Sequence, residues 1–93
     1  MYIKSPIRKW RYESGDLIKI SFGHHVWSDY IFSNGLAENT TCRLEKNECV
    51  IFIQAYGFEY NGNNWKRSEW NLKVLSPKHG IVWVSDEYTE HCD

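Results

Sequence analysis

The amino-acid sequence predicts an all-β domain built on one antiparallel sheet. Three observations carry that expectation. Apolar residues recur at every second position in several short runs, β-favouring residues crowd one central segment, and proline, glycine and asparagine punctuate the runs where turns belong. The strand signals are clearer than any helix signal.

Residues 16–22 place Ile18, Ile20 and Phe22 on one face and Lys19 and Ser21 on the other, the pattern of a half-buried strand. From Gly23 to Glu48 the periodicity is weak. That segment, which carries His24, His25, Trp27 and Tyr30 and then Asn34-Gly35, is expected to be a long loop, and long loops in small domains are often functional. Residues 50–56, Val-Ile-Phe-Ile-Gln-Ala-Tyr, form a nearly continuous apolar run, as expected of a central strand covered on both faces. Asn61-Gly62 predicts a type I′ turn, which would fold Phe58 and Tyr60 back towards Trp65 and Asn63 and extend the central strand into a ribbon. Trp70, Leu72 and Val74 alternate with Asn71 and Lys73. After Pro77-Lys78-His79-Gly80 the chain resumes as Ile81-Val82-Trp83-Val84, which makes a tight hairpin. Proline presets φ near the start of that turn, and Gly80 can take the positive φ required at its end.

Trp70 with Lys73-Val74, then Gly80, then Trp83-Val84-Ser85 and Tyr88 resembles the C-terminal half of a bacterial SH3 domain. The match covers about the last quarter of the chain. Upstream, residues 15–20, Gly-Asp-Leu-Ile-Lys-Ile, resemble the opening strand of many SH3-like barrels. Val82 stands where the family normally has glycine before the tryptophan, and the family's N-terminal Asn-Val-Arg signature is missing. The resemblance implies a small SH3-like antiparallel barrel of about five strands with a long first loop. It also implies that Trp70 and Tyr88 lie close together beside the loop bearing Trp27 and Tyr30, lining an aromatic groove that receives extended peptides, with Trp65 on the adjoining ribbon.

The 93 residues suit one domain with one core. Five Trp, six Tyr and four Phe are more aromatic side chains than so small a core is expected to hide, so some are expected at the surface as binding groups. A formal net charge of -1 argues against whole-domain nucleic-acid binding. The charge is uneven: Lys4, Arg8, Lys9 and Arg11 give residues 1–14 a basic character, and Asp86, Glu87, Glu90 and Asp93 make residues 86–93 acidic. Both ends are expected to be solvated. The N-terminal residues lead into charge rather than an apolar leader, no stretch approaches a membrane span, and three cysteines are an odd number, so reduced thiols in the cytoplasm are expected.

Chemistry-bearing patterns are sparse. His24-His25 lack partners at metal-ligand spacing. Cys42 and Cys49 sit where a hairpin would bring them face to face, and His91-Cys92 would complete four zinc ligands only at a spacing that fits no established zinc pattern. No phosphate loop, nucleophile elbow or carboxylate pair is present in the sequence. The expectation is therefore a non-enzyme without cofactor or metal, a protein-interaction module with binding residues Trp27, Tyr30, Trp65, Trp70 and Tyr88. Two alternatives stand beside it. One is a structural or accessory subunit of a larger assembly such as a phage particle, by likeness to small barrels among viral accessory proteins. The other is a single-stranded nucleic-acid binder using Arg8-Lys9-Trp10-Arg11-Tyr12.

Overall fold

The computed structural model describes residues 2–28 and 41–92. Eight strands and one short 3-10 turn follow in order: β1 (Tyr2–Ile7), β2 (Leu17–Ile20), β3 (His24–Ser28), β4 (Thr41–Leu44), β5 (Cys49–Asn61), β6 (Lys66–Ser76), β7 (Gly80–Ser85), the turn Asp86–Tyr88, and β8 (Thr89–His91). The sheet runs β4-β3-β7-β6-β5-β2-β8, with β1 paired to β5 beside β2. Every pairing is antiparallel, and the sheet curls into a half-barrel. Among the described residues no helix is long and apolar enough to cross a membrane.

The sheet thus has eight strands where the sequence predicts about five. Three of them lie in segments expected to be outside it. β1 comes from the basic N-terminal segment; it contains Pro6, which has no N–H to give and is tolerated because β1 pairs on one side only. β3 and β4 come from the expected long loop and pair with each other from His24 opposite Leu44 to Trp27 opposite Thr41. β3 then joins β7 through Trp27 opposite Trp83.

β5 is the organising strand. Its first residues pair with β2, its later ones with β1, and β6 lies along its whole other side. The register shifts between Phe52 and Gln54, where β5 changes partner, so a bulge bends the strand at the changeover. Gln54 closes the gap: its side-chain amide donates to the carbonyls of Ile7 (2.6 Å) and Ala55 (3.0 Å). The expectation of a strand covered on both faces is corrected, because Val50 and Phe52 are buried while Ile51 between them is exposed.

One face of the sheet holds the core. Ile18 and Ile20 of β2, Val50 and Phe52 of β5, Leu72 and Val74 of β6, and Val82 and Val84 of β7 are all buried there. Each such side chain stabilises the fold by about 1.5–3 kcal/mol relative to exposure. Phe22 does not continue the Ile18–Ile20 face; β2 ends at Ile20 and Phe22 is exposed. Trp83 is buried as well, but its neighbours Val82 and Val84 occupy the core face, so its ring lies on the opposite one with Phe58 (5.7 Å between centroids) and Tyr56 (5.0 Å). The Lys4 ammonium caps this second cluster, 5.3 Å from the Tyr56 ring centre and 5.2 Å from that of Trp83.

The two turns differ in outcome. Gly80 takes φ +74 opposite Ser76, and the His79 N–H donates to Ser76 Oγ at 3.2 Å, as the proline-to-glycine pattern predicts. Asn61-Gly62 does not form a two-residue turn. Asn61 pairs with Lys66, Gly62 N–H donates to the Trp65 carbonyl (2.9 Å), and neither Asn61 nor Gly62 has positive φ. The Trp65 indole lies against Gly62, where a Cβ would overlap it, so this glycine is needed for close approach.

The basic and acidic ends are joined rather than separately solvated. Tyr12 is buried in the core with its hydroxyl 3.0 Å from Thr89 Oγ1, and Thr89 Oγ1 donates to the Asp86 carbonyl (2.9 Å). Arg11 reaches the Asp86 carboxylate (2.9 Å) and the Thr89 carbonyl (3.3 Å), and Trp10 Nε1 donates to Asp86 Oδ1 (3.1 Å). Further along, Lys19 pairs with Glu90 at 3.2 Å.

Candidate functional site

The residues expected to line one groove are dispersed. Trp27 is partly buried in β3 beside Trp83. Tyr30 lies outside the described residues. Trp65 is exposed in the loop between β5 and β6, and Trp70 is exposed on β6 opposite Gly57. Tyr88 is partly buried in the 3-10 turn, and the described rings against it are Phe22 (5.4 Å) and His24 (4.6 Å), not Trp70 or Trp27.

That cluster is a small surface of its own. The turn after β2 carries Phe22 outward, while Ser21 N–H donates to the Tyr88 carbonyl (2.8 Å) and fixes the turn against the 3-10 segment. His24 Nδ1 lies 2.7 Å from the Phe22 carbonyl, and since a carbonyl only accepts, Nδ1 carries the proton. His24 Nε2 is buried with no hydrogen-bond partner among the described residues. The result is an exposed phenyl ring tilted against a phenol, with the His24 imidazole also tilted against that phenol.

A larger apolar surface lies on the sheet face opposite the core. Leu17 pairs with Ile51, Ile51 with Leu75, and Leu75 with Ile81. Directly opposed residues in antiparallel strands share a face, so these four aliphatic side chains form one row across β2, β5, β6 and β7. All four are exposed: Leu17 53%, Ile51 38%, Leu75 41% and Ile81 40%. The row spans roughly 14 Å, three interstrand spacings. Isolated exposed aliphatics are ordinary, whereas these four make one contiguous apolar strip. The row has no signature in the sequence because each member adjoins a buried residue: Val50 and Phe52 flank Ile51, Val74 precedes Leu75, and Val82 follows Ile81. Only the register shows that they align.

A shallow cavity of about 400 Å³ is lined by Lys9, Trp10, Arg11 and Asp86. Its charges are largely matched, since Arg11 and Trp10 both bond Asp86. Of the five residues expected to stack and pair with nucleic acid, Tyr12 is in the core and Arg11 holds the C-terminal turn.

The cysteines are arranged differently from the hairpin expectation. β4 pairs with β3 and β5 with β2, so Cys42 lies opposite Val26 while Cys49 lies opposite Lys19. Cys42 packs against the core, and burial pushes its thiol above its ordinary pKa. Cys49 instead approaches Cys92. Among the described residues no three His, Cys, Asp or Glu side chains gather as a metal-binding group. Comparison of the chain with family models, with curated proteins and with solved structures finds no match to any of them.

Proposed function

We propose that this chain is an SH3-like barrel acting as a non-catalytic protein-interaction module, which docks its partner on the outer row Leu17–Ile51–Leu75–Ile81. The barrel reading is supported by the order of elements. A short opening strand (β2) precedes an excursion, the β5–β6–β7 meander with its tight Gly80 turn follows, and after a 3-10 turn a final short strand pairs back onto β2. The single observation that carries the interaction reading is the alignment of four exposed aliphatic side chains across four adjacent strands. Covering that row removes apolar surface from water, worth about 25 cal/mol per Å² before the entropic and desolvation costs of association are subtracted. The same row would serve a structural or accessory subunit of a larger assembly such as a phage particle. The odd number of cysteines supports a reducing, cytoplasmic setting.

The Phe22–Tyr88–His24 cluster favours a second docking site, because it keeps one of the expected groove residues, Tyr88, beside an exposed ring. Nucleic-acid binding has less support, with Tyr12 buried in the core and Arg11 paired to the C-terminal turn.

The test is quantitative capture from the native lysate by immobilised wild-type protein, Leu75→Glu and Phe22→Ser, with and without nuclease. Loss of a partner with Leu75→Glu alone supports the aliphatic row, and loss with Phe22→Ser alone moves the site to the aromatic cluster. Equal recovery by all three folded proteins, or recovery abolished by nuclease, overturns the proposal.

A further inference from the structure

We propose that Cys49 and Cys92 form an intramolecular disulfide when the protein meets a low-molecular-weight disulfide such as oxidised glutathione, fastening the chain after β8 to β5. Their sulfurs lie 3.5 Å apart, neither is in a disulfide, and both side chains are partly buried. β2 separates the strands they belong to: Lys19 of β2 has Cys49 of β5 opposite it on one side and Glu90 of β8 on the other. Contact between the sulfurs therefore carries the chain after His91 across the outside of β2, a path the Lys19–Glu90 ion pair shares.

The remaining closure, from 3.5 Å to a bond of about 2.05 Å, falls on the residue outside the ladder. Cys49 is held in the β2–β5 ladder, whereas Cys92 lies past the end of β8. Cys42, on β4 and packed against the core, is a bystander.

The chemistry balances as two exchanges. One protein thiolate attacks the small disulfide and releases one equivalent of its thiol. The second protein thiolate then attacks the mixed disulfide, forming the Cys49–Cys92 bond and releasing the other equivalent. The product closes a loop of roughly 40 residues and pins β8, a three-residue strand at the edge of the sheet. Oxidation thereby becomes a switch on the firmness with which β8 is held, and with it the Tyr88 turn that precedes it.

The experiment incubates the folded wild-type protein with oxidised glutathione and maps the product by mass spectrometry without reduction, alongside Cys42→Ser and Cys92→Ser. The expected product is a monomer lighter by two hydrogens, with the Cys49 and Cys92 peptides linked, in both wild type and Cys42→Ser. Its midpoint of thermal unfolding should exceed that of the reduced protein by about 5–15 °C. Cys92→Ser should give no internal link. A link through Cys42, a disulfide dimer, or full alkylation of both thiols after oxidant treatment of folded wild type would overturn the proposal, and the last result needs no variant to fold.

Discussion

Neighbouring residues of β6 should respond unequally to truncation to alanine. Val74 is fully buried in the core, opposite Phe52 and Val82, whereas Leu75 faces outward and is 41% exposed. Val74→Ala removes two buried carbons, worth about 1.6 kcal/mol in transfer, and the cavity left behind raises the loss to about 2–3 kcal/mol. Leu75→Ala removes three carbons, a change that costs 2–5 kcal/mol in a closed core, but with the side chain this exposed the loss should be about 1 kcal/mol or less. Urea unfolding at constant slope measures both, and in a domain of this size the Val74→Ala midpoint of thermal unfolding should fall by roughly 10–20 °C. Equal losses for the two variants would refute the reasoning, because they would mean that the outer row is packed rather than available.

Other features make separate predictions. Gly80→Ala forces a side chain into φ +74 and should cost about 1–2 kcal/mol by urea unfolding, although space for the Cβ is open. Tyr12→Phe removes the hydroxyl beside Thr89 Oγ1 while leaving Thr89 its bond to the Asp86 carbonyl, so the loss should be about 1 kcal/mol, read by the same assay. Cys42, with its pKa raised by burial, should react with iodoacetamide more slowly than Cys49 in the folded reduced protein, and equal rates would contradict its placement. Because the folded chain holds that proton more tightly than the unfolded chain, Cys42 should also make stability fall as pH rises past the ordinary thiol pKa near 9.0, an effect that Cys42→Ser should remove.

The parts of this fold that were legible in the sequence are those governed by local pattern. Ile18 and Ile20 alternate with Lys19 and Ser21 and are buried, and the Pro77-to-Gly80 turn forms with the positive φ expected of its glycine. What escaped is governed by pairing between distant segments. β1 reads as a charged, proline-containing terminus because its partner is the far half of β5, and no residue within 2–7 announces that register. β3 and β4 are short, and among their described side chains Val26 and Leu44 are the fully buried ones, too few to show a period. Tyr12 looked like a stacking residue among cations, and its burial depends on Thr89, which lies at the other end of the chain. The outer aliphatic row is illegible for a related reason. A continuous apolar run such as 50–56 does not say which residues face the core, and the bulge between Phe52 and Gln54 resets the alternation midway. The resemblance implies that Tyr88 lies beside Trp70, but its ring neighbours, Phe22 and His24, are set by the turn after β2.

The most direct test of the docking proposal is side-chain footprinting of the captured complex against the free protein, read residue by residue with a carbene or hydroxyl-radical label. Protection centred on Leu17, Ile51, Leu75 and Ile81, with Trp65 labelled equally in both states, is the predicted result. Unchanged labelling of all four while the partner is bound would contradict the proposal.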